Sequence, residues 1–180
     1  MSTISMILAG FGGQGILFSG KFFAHKGLIE DKNLSWLPSY GPEMRGGTAS
    51  CSVIIGDEPV GSPIVTRPDV LIAMNLPSLD KYESTVAPGG IIFMDSTLIE
   101  RKVQRDDVTV YEIPATKMAS DNGTPTLANM IIVGKVLEVL GQFEKDGIEA
   151  ALKKVISAKR ADMLETNLGA MVLGRDYVAE

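Results

Sequence analysis

Ile4 to Ala9, apolar from Met6 onward, runs without a break into Gly10-Phe11-Gly12-Gly13-Gln14-Gly15. No other feature of the chain constrains its fold as strongly. A short apolar run bounded by a turn predicts a buried strand, and glycine supplies the backbone freedom for the turn. Ile16 to Ile29 follows, with Ile16, Leu17, Phe22, Phe23 and Leu28 apolar, the pattern of a helix packed on a sheet. Strand, glycine turn and helix in that order open a βαβ unit, and so predict an α/β domain with a mostly parallel sheet.

Further along, Leu34 to Leu37 reads as a short second strand. Thr48 to Ile55 alternates, with Ala49, Cys51, Val53 and Ile55 on one face and Thr48, Ser50 and Ser52 on the other, a period of two that predicts a strand. Gly56-Asp57-Glu58-Pro59 is a turn sequence, after which Val60 to Ser62 is expected to fold back antiparallel and make the sheet mixed. Asp69 to Met74 ends in a continuous apolar run and predicts a central parallel strand. Pro77 is expected to open a helix to about Val86. Ile91 to Met94, ending at Asp95, and Val108 to Ile113 complete the strands. The remainder reads as helical. Thr124-Pro125 forms a cap and first turn, and Leu127 to Leu140 is apolar almost all round and therefore buried on several sides. Gly141 stops that helix. Ile148, Ala151, Leu152, Val155 and Ile156 make a stripe, and a last helix covers Ala161 to Leu173. The expectation is one Rossmann-like three-layer α/β domain over residues 1–180, with a mostly parallel, mixed sheet and a helical C-terminal end.

Composition narrows the function. The net charge is −5 with no basic cluster, which argues against nucleic acid, since phosphate binding needs a positive stripe. No apolar run reaches the roughly 18–20 residues of a membrane helix, and no secretory signal pattern is evident, so a cytoplasmic location is expected. Cys51 is the single cysteine. An internal disulfide is impossible, and an iron–sulfur cluster needs about four thiolates. His25 is the single histidine, so a catalytic triad or a histidine metal site would rest on one residue. It is expected to be an ordinary helix residue. Cys51 reads as a small core residue, Asp95 as a cap or turn residue at a strand end, and Asn129 and Asn167 as groups satisfying backbone or partner atoms. No catalytic residue and no metal site is predicted.

Gly10, Gly12 and Gly15 match G-x-G-x-x-G between a strand and a helix, so Gly10, Gly12, Gly13 and Gly15 are the candidates for cofactor binding. Glycines there let a phosphate approach the backbone at the positive end of a helix. The pattern also calls for an acidic residue about 20 positions on, at the end of the second strand. Glu30 and Asp31 fit by count but precede that strand, and no acidic residue lies between Asp31 and Glu43. Close packing of helix on sheet, or against another subunit, is the competing use of the glycines. A second glycine-rich segment, Tyr40-Gly41-Pro42-Glu43-Met44-Arg45-Gly46-Gly47, combines an aromatic ring, a turn pair and opposite charges. Loops so rich in fixed geometry tend to carry function, although a surface loop with a weak Glu43–Arg45 pair is the plainer reading.

GFGGQGI, SYGPEMRGGTAS and VGSPIVTRPDVLIAM occur in this order, and GGIIFMDS, PATKMA and LANMIIVGKV follow. Together they closely resemble the gamma subunit of 2-oxoacid:ferredoxin oxidoreductases over nearly the whole chain, and SYGPEMRGG is closer to the 2-oxoglutarate type than to the pyruvate type. The resemblance implies a Rossmann-like subunit with no catalytic residue of its own. The assembled enzyme oxidatively decarboxylates a 2-oxoacid and transfers the acyl group to coenzyme A. Thiamine diphosphate with its magnesium lies between alpha and beta chains, and iron–sulfur clusters in beta or in a small delta chain pass electrons to ferredoxin. The expected partners are those chains, and the isolated subunit could also form a homodimer. Tyr40, Gly41, Pro42, Glu43, Arg45, Gly46 and Gly47 are then the expected interface loop, close to the Gly10–Gly15 loop at one edge of the sheet. Two rival readings remain at this stage: an NAD(P)-dependent oxidoreductase or dinucleotide-binding regulator, and a non-enzymatic dimerisation scaffold.

Overall fold

A computed structural model of the chain describes residues 3–39, 48–142 and 144–179. Six strands form one sheet: β1 (Ile4–Phe11), β2 (Asn33–Ser39), β3 (Thr48–Gly56), β4 (Val70–Ala73), β5 (Ile91–Asp95) and β6 (Thr109–Ile113). Their spatial order is β2-β3-β1-β4-β5-β6. β1, β4, β5 and β6 pair parallel, whereas β3 pairs antiparallel with both β1 and β2. One reversed strand therefore makes the sheet mixed.

The expected return strand at Val60–Ser62 does not form. Between β3 and β4 the chain is irregular, and Pro59, Pro63 and Pro68 there remove the N–H donors a ladder needs. The antiparallel partners of β3 come from earlier in the chain instead: Ile4 faces Ile55 and Asn33 faces Gly56.

Period-two alternation divides the core. Met6, Leu8, Cys51, Val53, Val70, Ile72 and Phe93 point to one face. The helices α1 (Ile16–Ile29), α4 (Ala128–Val139), α5 (Lys145–Val155) and α6 (Met163–Asp176), with the short α3 (Ala115–Asp121), supply the helical layer there. Ile7, Ala9, Leu71, Ala73, Ile92 and Met94 point to the other face, under Leu79 of α2 (Leu76–Tyr82) and Ile99 of the segment after β5. α2 begins one residue before Pro77. The Asn75 side chain caps it, accepting from the Ser78 N–H at 2.9 Å, and a 3₁₀ turn carries it on to Thr85. A second 3₁₀ turn, Pro125–Leu127, precedes α4.

Glycine sets how closely α1 meets the sheet and how closely α4 meets α6. Gly20 of α1 lies against Cys51 and Trp36. Gly134 of α4 and Gly174 of α6 lie against the backbone carbonyls of Met171 and Ile131 respectively. Ala128–Val139 is buried along almost its whole circumference, as its unbroken apolar sequence predicts. Among the described residues, no helix is long and apolar enough to cross a membrane.

Candidate functional site

Gly10 and Phe11 close β1, and Gly12 to Gly15 turn the chain into α1. Gly13 and Gly15 have φ of 95° and 75°, the left-handed region that suits glycine. Gly15 is the N-cap of α1, which has no side-chain cap. Gln14 organises the turn: its Oε1 accepts from the Phe11 N–H at 2.6 Å, and its Nε2 donates to the Met74 carbonyl at 3.1 Å. Since Met74 directly follows β4, one amide ties together the ends of two neighbouring parallel strands. A Cβ on Gly10 would stand 2.6 Å from Gln14 Oε1 and 2.9 Å from Met74 Cβ, so glycine at this position makes room for the amide. Gly15 is crowded in the same way by Asn129, whose Nδ2 donates to the Gly15 carbonyl at 3.2 Å and to Ser19 Oγ at 2.9 Å.

β1 and β4 flank the point where the strand order reverses, and open α/β sheets usually receive ligands in the crevice there. In this chain the Gln14 side chain spans it. Glu30 and Asp31, which satisfy the acidic position by count, stand at the far end of α1, roughly 20 Å from its start for a helix of this length. Glu30 is ion-paired with Lys26. Asp31, at φ 54°, closes the helix C-terminus, where the Lys32 N–H donates to the Gly27 carbonyl at 3.0 Å. Neither carboxylate can reach a ribose placed beside Gly15. The geometry disfavours the dinucleotide reading and favours packing as the use of Gly10 and Gly15.

The same end of the sheet is apolar at its surface. Phe11 (42% exposed) ends β1, and Leu76 (38%) and Leu98 (42%) lie just beyond the adjacent strands β4 and β5. Gly12 and Gly13 are exposed beside them. Tyr40, Gly41, Pro42, Glu43, Arg45, Gly46 and Gly47 lie outside the described residues. The strand ends that flank them do not: Ser39 pairs with Ser50 and Thr48 with Phe11. The Gly10–Gly15 segment thus leaves the carboxyl end of β1, while the edge strand β2 ends at Ser39 and β3 begins at Thr48, opposite Phe11 of β1.

The remaining candidates take structural places. His25 is half-buried in α1. Asp95 is fully buried at the end of β5 and accepts from the Thr97 N–H at 3.0 Å, the Thr116 N–H at 3.2 Å and the Thr116 hydroxyl at 2.5 Å. Asn167 Nδ2 donates to the Met163 carbonyl at 2.8 Å. Among the described residues, no group of three or more histidine, cysteine or acidic side chains could hold a metal ion. The bridging role of Gln14 was not legible in the sequence, because it depends on Met74, sixty positions away.

Cys51 is buried, and burial pushes its thiol from 9.0 up to about 12, with the neighbouring Trp36 opposing more weakly. At pH 8 only about one thiol in ten thousand is then ionised, and the thiolate is the reactive form. Iodoacetamide is expected to leave the native chain unmodified at pH 8 and to label it fully in urea, as mass spectrometry would read. A folded-state value above the unfolded one means that stability from this group is intact below pH 9 and falls as pH rises toward 12.

Fold and site together define a Rossmann-like α/β module whose strand-end crevice is bridged by its own Gln14 side chain. Comparison with known proteins identifies its kind. The chain belongs to the pyruvate ferredoxin/flavodoxin oxidoreductase family, whose sequence model matches residues 5–177. It is 39% identical over 96% of its length to ketoisovalerate oxidoreductase subunit VorA of Methanothermobacter thermautotrophicus, but spans only 36% of that protein. It is 36% identical to 2-oxoglutarate synthase subunit KorC of Methanocaldococcus jannaschii, covering 96% of this chain and 92% of that one. The crystal structure of a keto/oxoacid ferredoxin oxidoreductase gamma subunit from Geobacter sulfurreducens superposes with a TM-score of 0.80 at 27% identity, over 96% of each chain.

Proposed function

We propose that this chain is the gamma-type subunit, one domain over residues 1–180, of a cytoplasmic 2-oxoacid:ferredoxin oxidoreductase, and that it serves assembly and has no turnover of its own. The end-to-end similarity to KorC carries the reading. The single cysteine agrees with it, because the clusters must then belong to partner chains. In this proposal thiamine diphosphate, magnesium, iron–sulfur clusters and coenzyme A are held by the assembled alpha, beta and, where present, delta chains, with ferredoxin as electron acceptor. The carboxyl end of the sheet, with Phe11, Gly12, Gly13, Leu76 and Leu98 and the 40–47 segment, is the surface that faces them. Exposed apolar side chains clustered at one end of a domain are the kind of surface that association buries.

Affinity purification of the tagged chain from its native cell under anaerobic conditions tests the proposal. Mass spectrometry is expected to find a thiamine-diphosphate-binding chain and a cluster-bearing chain, and the eluate is expected to reduce ferredoxin with a 2-oxoacid and coenzyme A. Assays with 2-oxoglutarate and ketoisovalerate decide between the substrate classes of the two relatives. Recovery of the chain alone, under conditions that preserve other complexes, contradicts the proposal. A second test acts on the loop: Arg45→Glu is expected to reduce assembly or ferredoxin reduction at least tenfold while leaving the circular dichroism and melting of the isolated chain unchanged. Normal assembly and turnover by this variant would remove the 40–47 segment from the interface.

A further inference from the structure

We propose that the cleft enclosed by α1, α4, α5 and α6 binds a small apolar carboxylate carrying a hydrogen-bond donor beside its charge. The cleft has a volume of about 420 Å³. Three helices of 12 to 14 residues begin at it: Gly15 and Phe18 line it from α1, Leu127 and Asn129 from the start of α4, and Met163 and Asn167 from α6. None of the three has a side-chain N-cap. The first N–H groups of α1 have no partner within the helix, whereas a 3₁₀ turn runs into α4 and the Leu164 N–H at the start of α6 donates to the Ala161 carbonyl at 3.2 Å; the positive dipole ends of all three converge on one space. Arg160 also lines the cleft, and none of the ion pairs among the described residues engages it. Glu165, in the first turn of α6, is exposed and does not line the cleft.

The buried amide of Asn167 is an independent pointer to a ligand. The residue is 3% exposed and lines the cleft. Its Nδ2 donates to the Met163 carbonyl, which fixes the orientation of the amide and leaves Oδ1 as an acceptor. That oxygen is buried without a hydrogen-bond partner, an arrangement folded proteins seldom tolerate. A ligand hydroxyl or amide N–H would satisfy it.

The same lining sets the rest of the ligand. Phe18, Leu127, Val155, Ile156 and Met163 offer apolar surface, suited to a branched aliphatic body. One guanidinium, with no second cation in the lining, matches a singly charged carboxylate better than a phosphate dianion. The helix N-termini reinforce the preference for an anion and disfavour an ammonium group as the donor.

Titration of the full chain, followed by NMR of its amides and methyl groups, tests the site without reference to any partner. The probes are 2-hydroxyisocaproate, isocaproate, which lacks the hydroxyl, and inorganic phosphate. The hydroxy acid is expected to give saturable shifts at Phe18, Leu127 and Met163, isocaproate to bind at least fivefold more weakly, and phosphate not to saturate. Arg160 is exposed, so Arg160→Gln should fold normally, and it is expected to weaken 2-hydroxyisocaproate at least tenfold. Absence of saturable shifts from the hydroxy acid, equal binding of isocaproate or phosphate, or unchanged affinity in the Arg160→Gln chain would each overturn the proposal.

Discussion

Gly174→Val is expected to detach the last helix from the domain and to lower stability by about 3 kcal/mol, the upper range for overpacking a core. A Cβ at position 174 would overlap the Ile131 carbonyl, and one at position 134 the Met171 carbonyl. Both obstacles are helix backbone, which cannot rotate aside as a side-chain terminus can. Relief therefore requires the two helices to part, exposing Ile131, Met171 and their neighbours, all buried in the native domain. Thermal melting by circular dichroism should fall by roughly 6–12 °C for a chain of this size. Gly134→Val should act alike, and the double variant should cost less than the sum, since one separation serves both. Gly169 provides the contrast. It lies in the same helix with nothing within 4 Å of its added Cβ, so Gly169→Ala should raise stability by up to about 1 kcal/mol through helix propensity. A Gly174→Val chain that melts like the wild type would show that α4 and α6 are not packed this way.

Asp95→Ala should be nearly as costly, again about 3 kcal/mol, because it strands donors around a removed buried carboxylate. Asp95 stands at the end of β5, fully buried. It accepts from Thr97 and twice from Thr116, which opens α3 after the uncapped Pro114. The residue therefore fixes how the chain leaves β5 and where α3 is seated. Urea denaturation should show a lower midpoint at unchanged slope. Asp95→Asn, which keeps one acceptor oxygen, should lose about half as much. An Asp95→Ala chain that melts like the wild type would show that the capping assignment is wrong.

Local pattern carried most of the fold. Continuous apolar runs marked β4 and β5 because strands covered on both faces need them, and alternation marked β3. Gly141, at φ 65°, ends α4 as expected. What escaped were relations between distant segments. Nothing near β3 says that it inserts between β1 and β2, and local pattern alone favours the nearest stretch, Val60–Ser62, as its partner despite the flanking prolines. α3 is a seven-residue alanine-containing helix, too short for a periodic signal, and it is seated by Asp95 from another element. The cap at Asn75 has a local signature, an asparagine two residues before Pro77. At the glycine loop the motif was legible and its use was not. Whether glycine admits a phosphate or a neighbouring side chain depends on Gln14, Met74 and Asn129, which the turn sequence alone cannot bring together.

The pairing at the base of the 40–47 segment gives the chain a kind of modularity. Ser39 faces Ser50 and Thr48 faces Phe11, so the ladder on either side clamps the two ends of that segment before its own sequence has any say. Closing a loop between fixed ends depends only logarithmically on length, and doubling it costs only about 0.6 kcal/mol. Sequence and length at this position can therefore drift with little penalty to the sheet beneath. A lineage can vary this segment while inheriting the scaffold unchanged.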